Sequence, residues 1–308
     1  MKQIFKQVKN FIFEKQIRFG YLSTLGFYNW IPDDIYLKKE FKVRMGNELN
    51  LNNPQTFNEK IQWLKLYDRH PEYTMMVDKY AAKQYVASKI GDDYIIPTLG
   101  VWTKFDDIDF DKLPNQFVLK CTHDSGGLVI CKDKSTLDIT AAKRKIEHCL
   151  KRKYYYIHRE WPYKNVPPRI IAEKYMTDNV NTSTNETLKD YKFYCFDGKV
   201  RFLMINSDRN SKMSTKADYF DRDFNWLDFT WGYEHANVRP VKPDCFDEMI
   251  SISEKLSKGL PHVRVDLYEC NGQIYFGELT FYDGSGFDKI EPIEWDYKIG
   301  KMLKLPSK

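Results

Sequence analysis

The chain has 308 residues, of which 42% are hydrophobic, 30% charged and 16% aromatic. This length allows a large buried core, and the composition excludes a disordered, collagenous or coiled-coil protein. No apolar run is long enough to span a membrane, and lysines interrupt the first apolar stretch, so we expect no signal peptide. Length alone predicts roughly two domains of ~150 residues.

The net charge of +5 is concentrated at the N-terminus. Residues 1–18 have a net charge of +4, so the rest of the chain is close to neutral. A near-neutral body lacks the basic face that nucleic-acid-binding proteins need, and we expect no nucleic acid as a partner. The six cysteines show no C-x-x-C spacing, so we expect reduced thiols in the cytoplasm rather than a zinc site.

The N-terminal part of the chain is predicted to be helical. Residues 1–19 have apolar residues at helical spacing with lysines between them, which predicts a basic amphipathic helix. Such a helix either lies on the anionic inner face of the membrane or packs on the body of the protein. Residues 20–92 form a helical N-terminal region. Residues 20–55 are irregular or short helix, and a T-x-x-E capping box at Thr56 starts a further helix. A further helix is predicted over about 73–90.

From residue 93 onward the pattern favours strands. Strands are predicted at 94–99, 116–120, 128–131 and 169–176, and helices at about 138–151 and 244–258. Two hairpins follow, one around Asp197-Gly198 and one around Asn271-Gly272, because Asp-Gly and Asn-Gly favour tight turns. The predicted fold class is α+β with mostly antiparallel sheets.

The first candidate site is the stretch FVLKCTHDSGG, residues 117–127. Glycines allow backbone N–H groups to approach an anion, and the nearby Lys120 adds a positive charge. This pattern suits nucleotide phosphates, although an ordinary hairpin with a solvent-facing lysine is the alternative. The stretch RIIAEKYM, residues 169–176, is a second candidate, because the exit of this strand offers backbone groups to a base edge. It is weaker, because many strands end in Glu-Lys.

The other candidate sites lie in the two hairpins. By strand alternation Asp190 and Lys192 share a face, where they form either part of a site or a solvent-exposed ion pair. In the second hairpin, Arg264, Asp266 and Glu278 are charged residues in strands that otherwise look buried. Because charges are rarely buried without a partner or a metal, the carboxylates indicate a magnesium site.

Together these stretches resemble a known family. The ordered set FVLKCTHDSGG, RIIAEKYM, LKDYKFYCFDGK and VRVDLYECNGQIYFGELTFYDGSGF is similar to the ATP-grasp superfamily, specifically its TupA-like branch of bacterial polysaccharide loci. FNEKIQWLK, VDKYAAKQYV, YYYIHREWPYKN and EWDYKIG are also typical of that branch. The resemblance covers about residues 30–305. It implies ATP and Mg²⁺ held between two α+β subdomains, residues 93–175 with the phosphate-binding loop and residues 176–308 with the metal site.

The resemblance also implies roles for individual residues. Those implied to contact ATP are Lys79, Lys120, His123, Ser125, Gly126, Gly127, Glu173, Lys174 and Met176. In this assignment the two lysines contact phosphates, residues 123–127 form a flexible lid, and residues 173–176 border the adenine. The catalytic residues are Lys192, which reaches the phosphates, and Arg264, which stabilises developing negative charge. The metal ligands are Asp266, Glu278 and Thr280. The family usually has asparagine where this chain has Thr280.

The geometry of the Asn271-Gly272 hairpin decides whether the carboxylates share a face. With a plain two-residue turn, Asp266 and Glu278 would point to opposite sides of the sheet. We therefore predict a three-residue or bulged turn with a positive φ at Gly272, which pairs Asp266 with Phe276.

The implied activity is a carboxylate–amine ligase that joins a sugar carboxylate to an amine or amino acid during synthesis of a cell-surface polysaccharide such as a capsule. Two alternatives stay open. The D-x-D sequence from Asp221 to Asp223 is typical of glycosyltransferases that use nucleotide sugars. The unusual Thr280 leaves room for a non-catalytic polysaccharide-binding protein that retains the fold.

Overall fold

A computed structural model of the protein describes residues 14–177, 190–207 and 215–307. Its helices are α1 (Lys15–Thr24), α2 (Asp33–Met45), α3 (Phe57–Tyr67), α4 (Glu72–Val77), α5 (Ala81–Ile90), α6 (Ile139–Leu150), α7 (Tyr155–His158), α8 (Phe246–Ser257) and α9 (Ile293–Met302). Its strands are β1 (Thr98–Trp102), β2 (Phe117–Cys121), β3 (Leu128–Cys131), β4 (Ile170–Lys174), β5 (Asp190–Phe196), β6 (Lys199–Ser207), β7 (Lys216–Asp221), β8 (Trp226–Leu227), β9 (Thr230–Trp231), β10 (His262–Cys270), β11 (Gln273–Thr280) and β12 (Ile290–Glu291). Within the described ranges, no helix has the length and apolarity needed to cross a membrane.

Two antiparallel sheets organise the chain. The first has four strands in the order β1-β4-β2-β3, and α6 packs on β2 and β3. Its apolar core is separate and includes Phe117, Leu119, Ile146 and Ile170. The second has six strands in the order β11-β10-β5-β6-β7-β8. These sheets and helices confirm the predicted α+β class with mostly antiparallel sheets.

The six-stranded sheet shares its core with the N-terminal helices. Buried residues from α2, α3, α5 and all the long strands of this sheet belong to one continuous apolar cluster. One face of the sheet is covered by α8, where Phe193 lies against Phe246 with ring centroids 6.0 Å apart. The charged side chains described below lie on the opposite face. The division of the chain into subdomains at residues 93 and 176 stays a proposal.

The N-terminal region differs in part from the prediction. The capping box of Thr56 and Glu59 is present as expected. Short helix was one of the two alternatives predicted for residues 20–55, and the end of α1 and all of α2 lie in this range. The single helix predicted over 73–90 is wrong: Asp78 breaks it by accepting the N–H of Tyr80 at 2.9 Å. Of the predicted helix over 1–19, residues 1–13 lie outside the described residues.

Both hairpins have the turns that their sequences favour. Phe196 pairs with Lys199 around Asp197-Gly198, and Cys270 pairs with Gln273 around Asn271-Gly272. The predicted three-residue turn is therefore wrong, as is the pairing of Asp266 with Phe276, although Gly272 has the predicted positive φ of 77°. The turn needs only two residues, because Asn271 also adopts a left-handed conformation, with φ of 53°.

A bulge further along the second hairpin restores the predicted arrangement of the carboxylates. The register shifts between Asp266 and Leu267, so that Asp266 pairs directly with Glu278. Gly277 is the extra residue of this bulge, and a Cβ on it would lie 3.0 Å from the carbonyl oxygen of Asp266 and 2.9 Å from the ring of Tyr268. Only glycine tolerates such an approach, so the bulge is fixed by sequence. Asp266 and Glu278 lie on one face, as predicted.

We predict that His262 makes the fold sensitive to mild acid. The ring is buried, and Nδ1 lies 2.9 Å from the carbonyl oxygen of Cys195. Burial lowers the pKa of His262 from 6.5 to about 4. The unfolded chain therefore binds a proton between these pH values that the folded chain does not, and stability falls as pH falls. The loss from pH 7 to pH 5 is about 2 kcal/mol for this group.

Urea denaturation at pH 7 and pH 5 measures this contribution. The variant His262→Asn keeps a donor for the carbonyl but does not titrate, so the stability difference between the two pH values should shrink by that amount. His148→Asn, at an exposed histidine, is the control and should leave the difference unchanged. An unchanged difference in His262→Asn would contradict the assignment.

Candidate active site

The centre of the site is a buried group of charges on β10 and β5. Arg264 and Asp266 are two residues apart on β10, so their side chains lie on the same face. Arg264 donates from Nε and Nη2 to the two carboxylate oxygens of Asp266, at 2.7 Å each. Lys192 pairs with Asp266 across the ladder and also donates to its carboxylate. The two bonds from Arg264 to Asp266 fix the plane of the guanidinium.

The charges at this centre are held in their ionised forms. Although burial opposes it, Arg264 and Lys192 keep the pKa of Asp266 below its usual value. Lys192 also contacts Asp190 at 2.7 Å, and all these side chains are at least nine-tenths buried. The predicted pair of Asp190 and Lys192 is therefore present, but it is buried and not exposed to solvent. A buried pair of this kind is costly to disturb, which favours a fixed geometry.

Arg264 also reaches towards the edge strand β11 and the turn after it. Its Nη2 lies 3.3 Å from Oε1 of Glu278 and 3.1 Å from the hydroxyl of Thr280. Its Nη1 donates to Asp283, whose other oxygen accepts from Tyr194. Glu278 differs from the other carboxylates because its side chain is 42% exposed. Glu278 and Thr280 therefore lie where the buried centre opens to solvent.

A second charged group lies on the four-stranded sheet. Glu173 on β4 is buried and pairs with Lys120 on β2 and with Lys83 on α5, the latter at 2.7 Å. Although burial opposes it, the two lysines hold the pKa of Glu173 below its usual value. The carboxylate of Glu173 is thus paired with two lysines. At the exit of the strand, Lys174 is exposed and Met176 is half-buried. Lys83 was not predicted, although its position four residues after Lys79 was the available indication.

The glycine loop 123–127 is tied to neighbouring elements. Nζ of Lys79 donates to the carbonyl oxygen of Asp124 at 2.6 Å, and Arg152 donates to that of Ser125 at 3.0 Å. Ser125 and Gly126 are exposed, whereas His123 is buried. A Cβ on Gly127 would lie 2.9 Å from Cβ of Cys121, so the loop requires glycine there. The tip of the predicted lid is thus exposed, and its base at His123 is buried.

Two tyrosines, Tyr154 and Tyr163, lie within electrostatic range of Glu278. Tyr154 and Tyr163 make an edge-to-face contact with centroids 4.8 Å apart. The charge of Glu160, burial and then the charges of Glu278 and Asp124 raise the pKa of Tyr154. Tyr154 therefore lies within electrostatic range of both the glycine loop and the exposed carboxylate.

The oxygen donors at β10 and β11 fit magnesium by their chemistry. Asp266 and Glu278 are direct neighbours across the ladder, and the hydroxyl of Thr280 lies 3.4 Å from Glu278. Mg²⁺ is typically held by one or two carboxylates together with phosphate oxygens and water. Among the described residues no group of three or more His, Cys, Asp and Glu side chains is placed to hold a metal. These two carboxylates and the hydroxyl are the oxygen donors that a metal shared with nucleotide phosphates would use, and both oxygens of Asp266 also accept from Arg264 and Lys192.

An ATP-grasp fold is the class that these features define: two antiparallel sheets, one with a lysine-flanked glycine loop and the other with a charged centre. The family model described as TupA-like ATPgrasp matches residues 59–304, and the chain belongs to that family. No curated protein sequence matches the chain at a significant level.

Solved structures similar to the chain include several ligases. A D-alanine–D-alanine ligase from Bacillus anthracis complexed with ATP is 18% identical with a TM-score of 0.41, over 67% of this chain and 55% of that one. The D-alanine–D-alanine ligase from Helicobacter pylori is 13% identical with a TM-score of 0.43, over 81% of this chain and 69% of that one. The ATP-grasp ligase PsnB, complexed with minimal precursor, Mg and ADP, is 9% identical with a TM-score of 0.39, over 73% and 57%. The chain thus spans little more than half the length of the first of these ligases.

Proposed function

We propose that the protein is an ATP- and Mg²⁺-dependent ligase that forms an amide between a sugar carboxylate, such as that of a uronic acid, and an amine or amino acid. The product would enter a bacterial cell-surface polysaccharide, and the reaction would take place in the cytoplasm. The observation that supports this most is the position of Arg264, which Asp266 holds in a fixed plane beside Glu278, a carboxylate whose side chain is 42% exposed. The family membership supports the ligase class.

The reaction follows from the chemistry of the two substrates. A carboxylate oxygen of the sugar attacks the γ-phosphorus of ATP, the bond to the β-phosphate breaks, and ADP leaves. The amine nitrogen then attacks the carbonyl carbon of the acylphosphate, phosphate leaves, and the nitrogen loses a proton. In both steps negative charge builds on oxygen, which a fixed guanidinium stabilises without reorganising.

The described side chains divide this work between them. Lys79, Lys120 and Lys192 would neutralise phosphate charge, and the backbone of residues 125–127 would cover the phosphates. Asp266 and Glu278, with Thr280, would hold magnesium, which would neutralise phosphate oxygens when bound. Arg264 would orient the acyl oxygen. The exit of β4 at Lys174 and Met176 would border the adenine.

The sugar class is argued from the aromatic segment near the exposed carboxylate. Tyr163 is half-buried, and burial followed by the charges of Tyr154, Glu160 and Glu278 raises its pKa. A tyrosine ring in such a position offers an apolar face and a hydroxyl to a sugar ring. Tyr155, by contrast, is buried and donates to Asp33, so its role is structural.

The glycosyltransferase alternative has less support. Oδ1 of Asp221 accepts the N–H groups of Asp223 and Asn225 at 2.9 and 2.8 Å, and Arg222 pairs with Glu254. These contacts give the D-x-D sequence a structural role in the turn between β7 and β8. Only a measurement of turnover distinguishes the non-catalytic polysaccharide-binding protein from the proposed ligase.

Product analysis with ATP, Mg²⁺, uronic acids and a panel of amines tests the proposal. The ligase predicts ADP and phosphate, formed only when both acid and amine are present. AMP and diphosphate, or cleavage of a UDP-sugar, would contradict the proposed reaction. Nucleotide binding without turnover on the whole panel would favour the non-catalytic alternative.

We predict that Lys120→Ala weakens ATP binding about 10- to 150-fold, since charge-assisted contacts contribute about 1.5–3 kcal/mol. The fold should persist, because the Lys120 side chain is 26% exposed and Lys83 still pairs with Glu173. Calorimetry with ATP measures the change, and Lys112→Ala, at a side chain 85% exposed, is the control. Unchanged affinity in Lys120→Ala would remove Lys120 from the phosphate site. Lys192 is less suitable for this test, because its loss removes the positive charge that the buried carboxylates of Asp190 and Asp266 share.

A further inference from the structure

The outer face of α1 and the turn that follows it are unusually apolar. The exposed side chains are Ile17 (42%), Tyr21 (56%), Leu25 (56%), Phe27 (60%) and Trp30 (81%), here called the apolar rim. The first three recur every four residues and so lie in one line along the helix. Large apolar side chains that are exposed together mark an interaction surface, whereas scattered ones do not.

The opposite face of α1 already has its partners in the protein. Phe19 is 4% exposed and stacks on Tyr28 with ring centroids 4.8 Å apart. The hydroxyl of Ser23 lies 2.6 Å from that of Tyr36 and also donates to the carbonyl oxygen of Ile157. The helix is therefore fixed on the body, and the apolar rim is a second apolar face pointing to solvent.

A cavity of about 360 Å³ opens beside the apolar rim, between the end of α1 and the segment after α6. Lys151, Arg152 and Lys153 line it, and we call it the basic pocket. Leu25 belongs to both the basic pocket and the apolar rim, so the two are contiguous. None of the described residues that line the pocket is acidic. The other polar residues of the lining include Thr24 and Asn29, which carry no negative charge.

We propose that this face binds the surface of an anionic phospholipid bilayer, with the apolar rim at headgroup depth and a lipid phosphate in the basic pocket. Trp and Tyr favour the membrane–water interface because their rings are apolar at one end and polar at the other. Lysines near an anionic bilayer add attraction for each charge. Arg152 already pairs with Asp124, but a purely apolar partner surface would leave the exposed Lys151 and Lys153 of the pocket uncompensated. This inference goes beyond the ligase proposal and does not depend on it.

Co-sedimentation of the full chain with vesicles of phosphatidylcholine, with and without phosphatidylglycerol, tests the inference. Phe27→Ser/Trp30→Ser should reduce partition onto the anionic vesicles at least about tenfold. Lys151→Glu/Lys153→Glu should reduce it at least about 25-fold, from about fivefold per lost positive charge. Every variant retains residues 1–13, so their contribution cancels in the ratios.

Matched controls use exposed residues elsewhere. Val238→Ser/Val241→Ser removes two valines that are 81% and 80% exposed. Lys112→Glu/Lys304→Glu reverses the charge at two exposed lysines. Neither control should change partition onto the vesicles more than about twofold. Stabilisation by ATP should persist in all variants. Equal losses in test and control variants would overturn the proposal. The proposal would also be overturned if the chain forms dimers without lipid and Phe27→Ser/Trp30→Ser abolishes them, because the apolar rim would then bind a second copy of the chain.

Discussion

Replacing Arg264 with methionine is expected to abolish activity and to destabilise the fold by about 3–5 kcal/mol, the usual cost of removing one partner from a buried ion pair. Arg264 is 7% exposed and contacts Asp266, Asp283 and Glu278. Without it, Asp266 keeps only Lys192 as a cationic partner among these contacts, and Asp283 loses its cation. Urea denaturation and ATP-dependent phosphate release measure the two effects.

A conservative variant separates the roles of charge and geometry. Arg264→Lys keeps the positive charge but loses the two-pronged contact with Asp266, so more of the stability should remain. Activity should still fall about 100- to 1000-fold, because a lysine cannot hold its charge at the same point in space. Arg222→Met, at a side chain 47% exposed, is the control and should change neither quantity much. Full activity in Arg264→Lys would show that the guanidinium geometry is not used.

The second large effect is expected for Lys65→Met, at a lysine with no solvent exposure. Its Nζ donates to Oε1 of Gln62 and to the carbonyl oxygens of His158 and Ser285, at 3.0, 3.0 and 2.7 Å. Glu160 lies close enough to affect its pKa, and Ser285 donates to Glu160. Losing the side chain leaves these buried acceptors without their donor and Glu160 without a nearby positive charge, so we expect a loss of about 3–5 kcal/mol.

The double variant Lys65→Met/Glu160→Gln tests this explanation. It removes both charges, and it should recover part of the stability lost in Lys65→Met. Lys89→Met, on the surface of α5, is the control. Activity should fall as well, because Lys65 holds the turn that starts at Asp283, and Asp283 contacts Arg264. A double variant less stable than Lys65→Met would rule out charge compensation.

The same lysine gives a pH dependence of known sign. Burial lowers the pKa of Lys65 from 10.5 to about 8. Between these values the unfolded chain binds a proton that the folded chain does not, so stability should rise with pH in this window. Lys65→Met should lack that rise.

The sequence predicted the elements whose causes are local. Asp-Gly and Asn-Gly fixed the two hairpins, and the capping box at Thr56 fixed the start of α3. Strand alternation placed Asp190 and Lys192 on one face, and the apolar alternation around Asp266 indicated that both carboxylates share a face. The feature that brings the carboxylates to one face was predicted incorrectly. It is a bulge at Gly277, which depends on how this glycine fits against Tyr268 on the neighbouring strand.

The features that the sequence did not predict depend on contacts between distant parts of the chain. Lys65 and Ser285 are 220 positions apart, and Ser285 adopts a left-handed conformation with φ of 53° in the turn that carries Asp283. No local pattern shows such a pairing. Lys83 follows Lys79 by four residues, but the sequence does not show that its partner Glu173 lies beside it, on a strand of the four-stranded sheet. Buried charges find their partners only when the chain has folded.

The most direct test of the central proposal, a magnesium–nucleotide site at Asp266 and Glu278, is calorimetry with a non-hydrolysable ATP analogue, with and without Mg²⁺. Glu278→Gln is the informative variant, because Glu278 is exposed and its loss should not unfold the chain. Wild-type protein should bind the analogue more tightly when Mg²⁺ is present. In Glu278→Gln most of that gain should disappear while the affinity without Mg²⁺ stays the same. Equal affinity with and without Mg²⁺ in the wild type, or an unchanged gain in Glu278→Gln, would contradict the metal site.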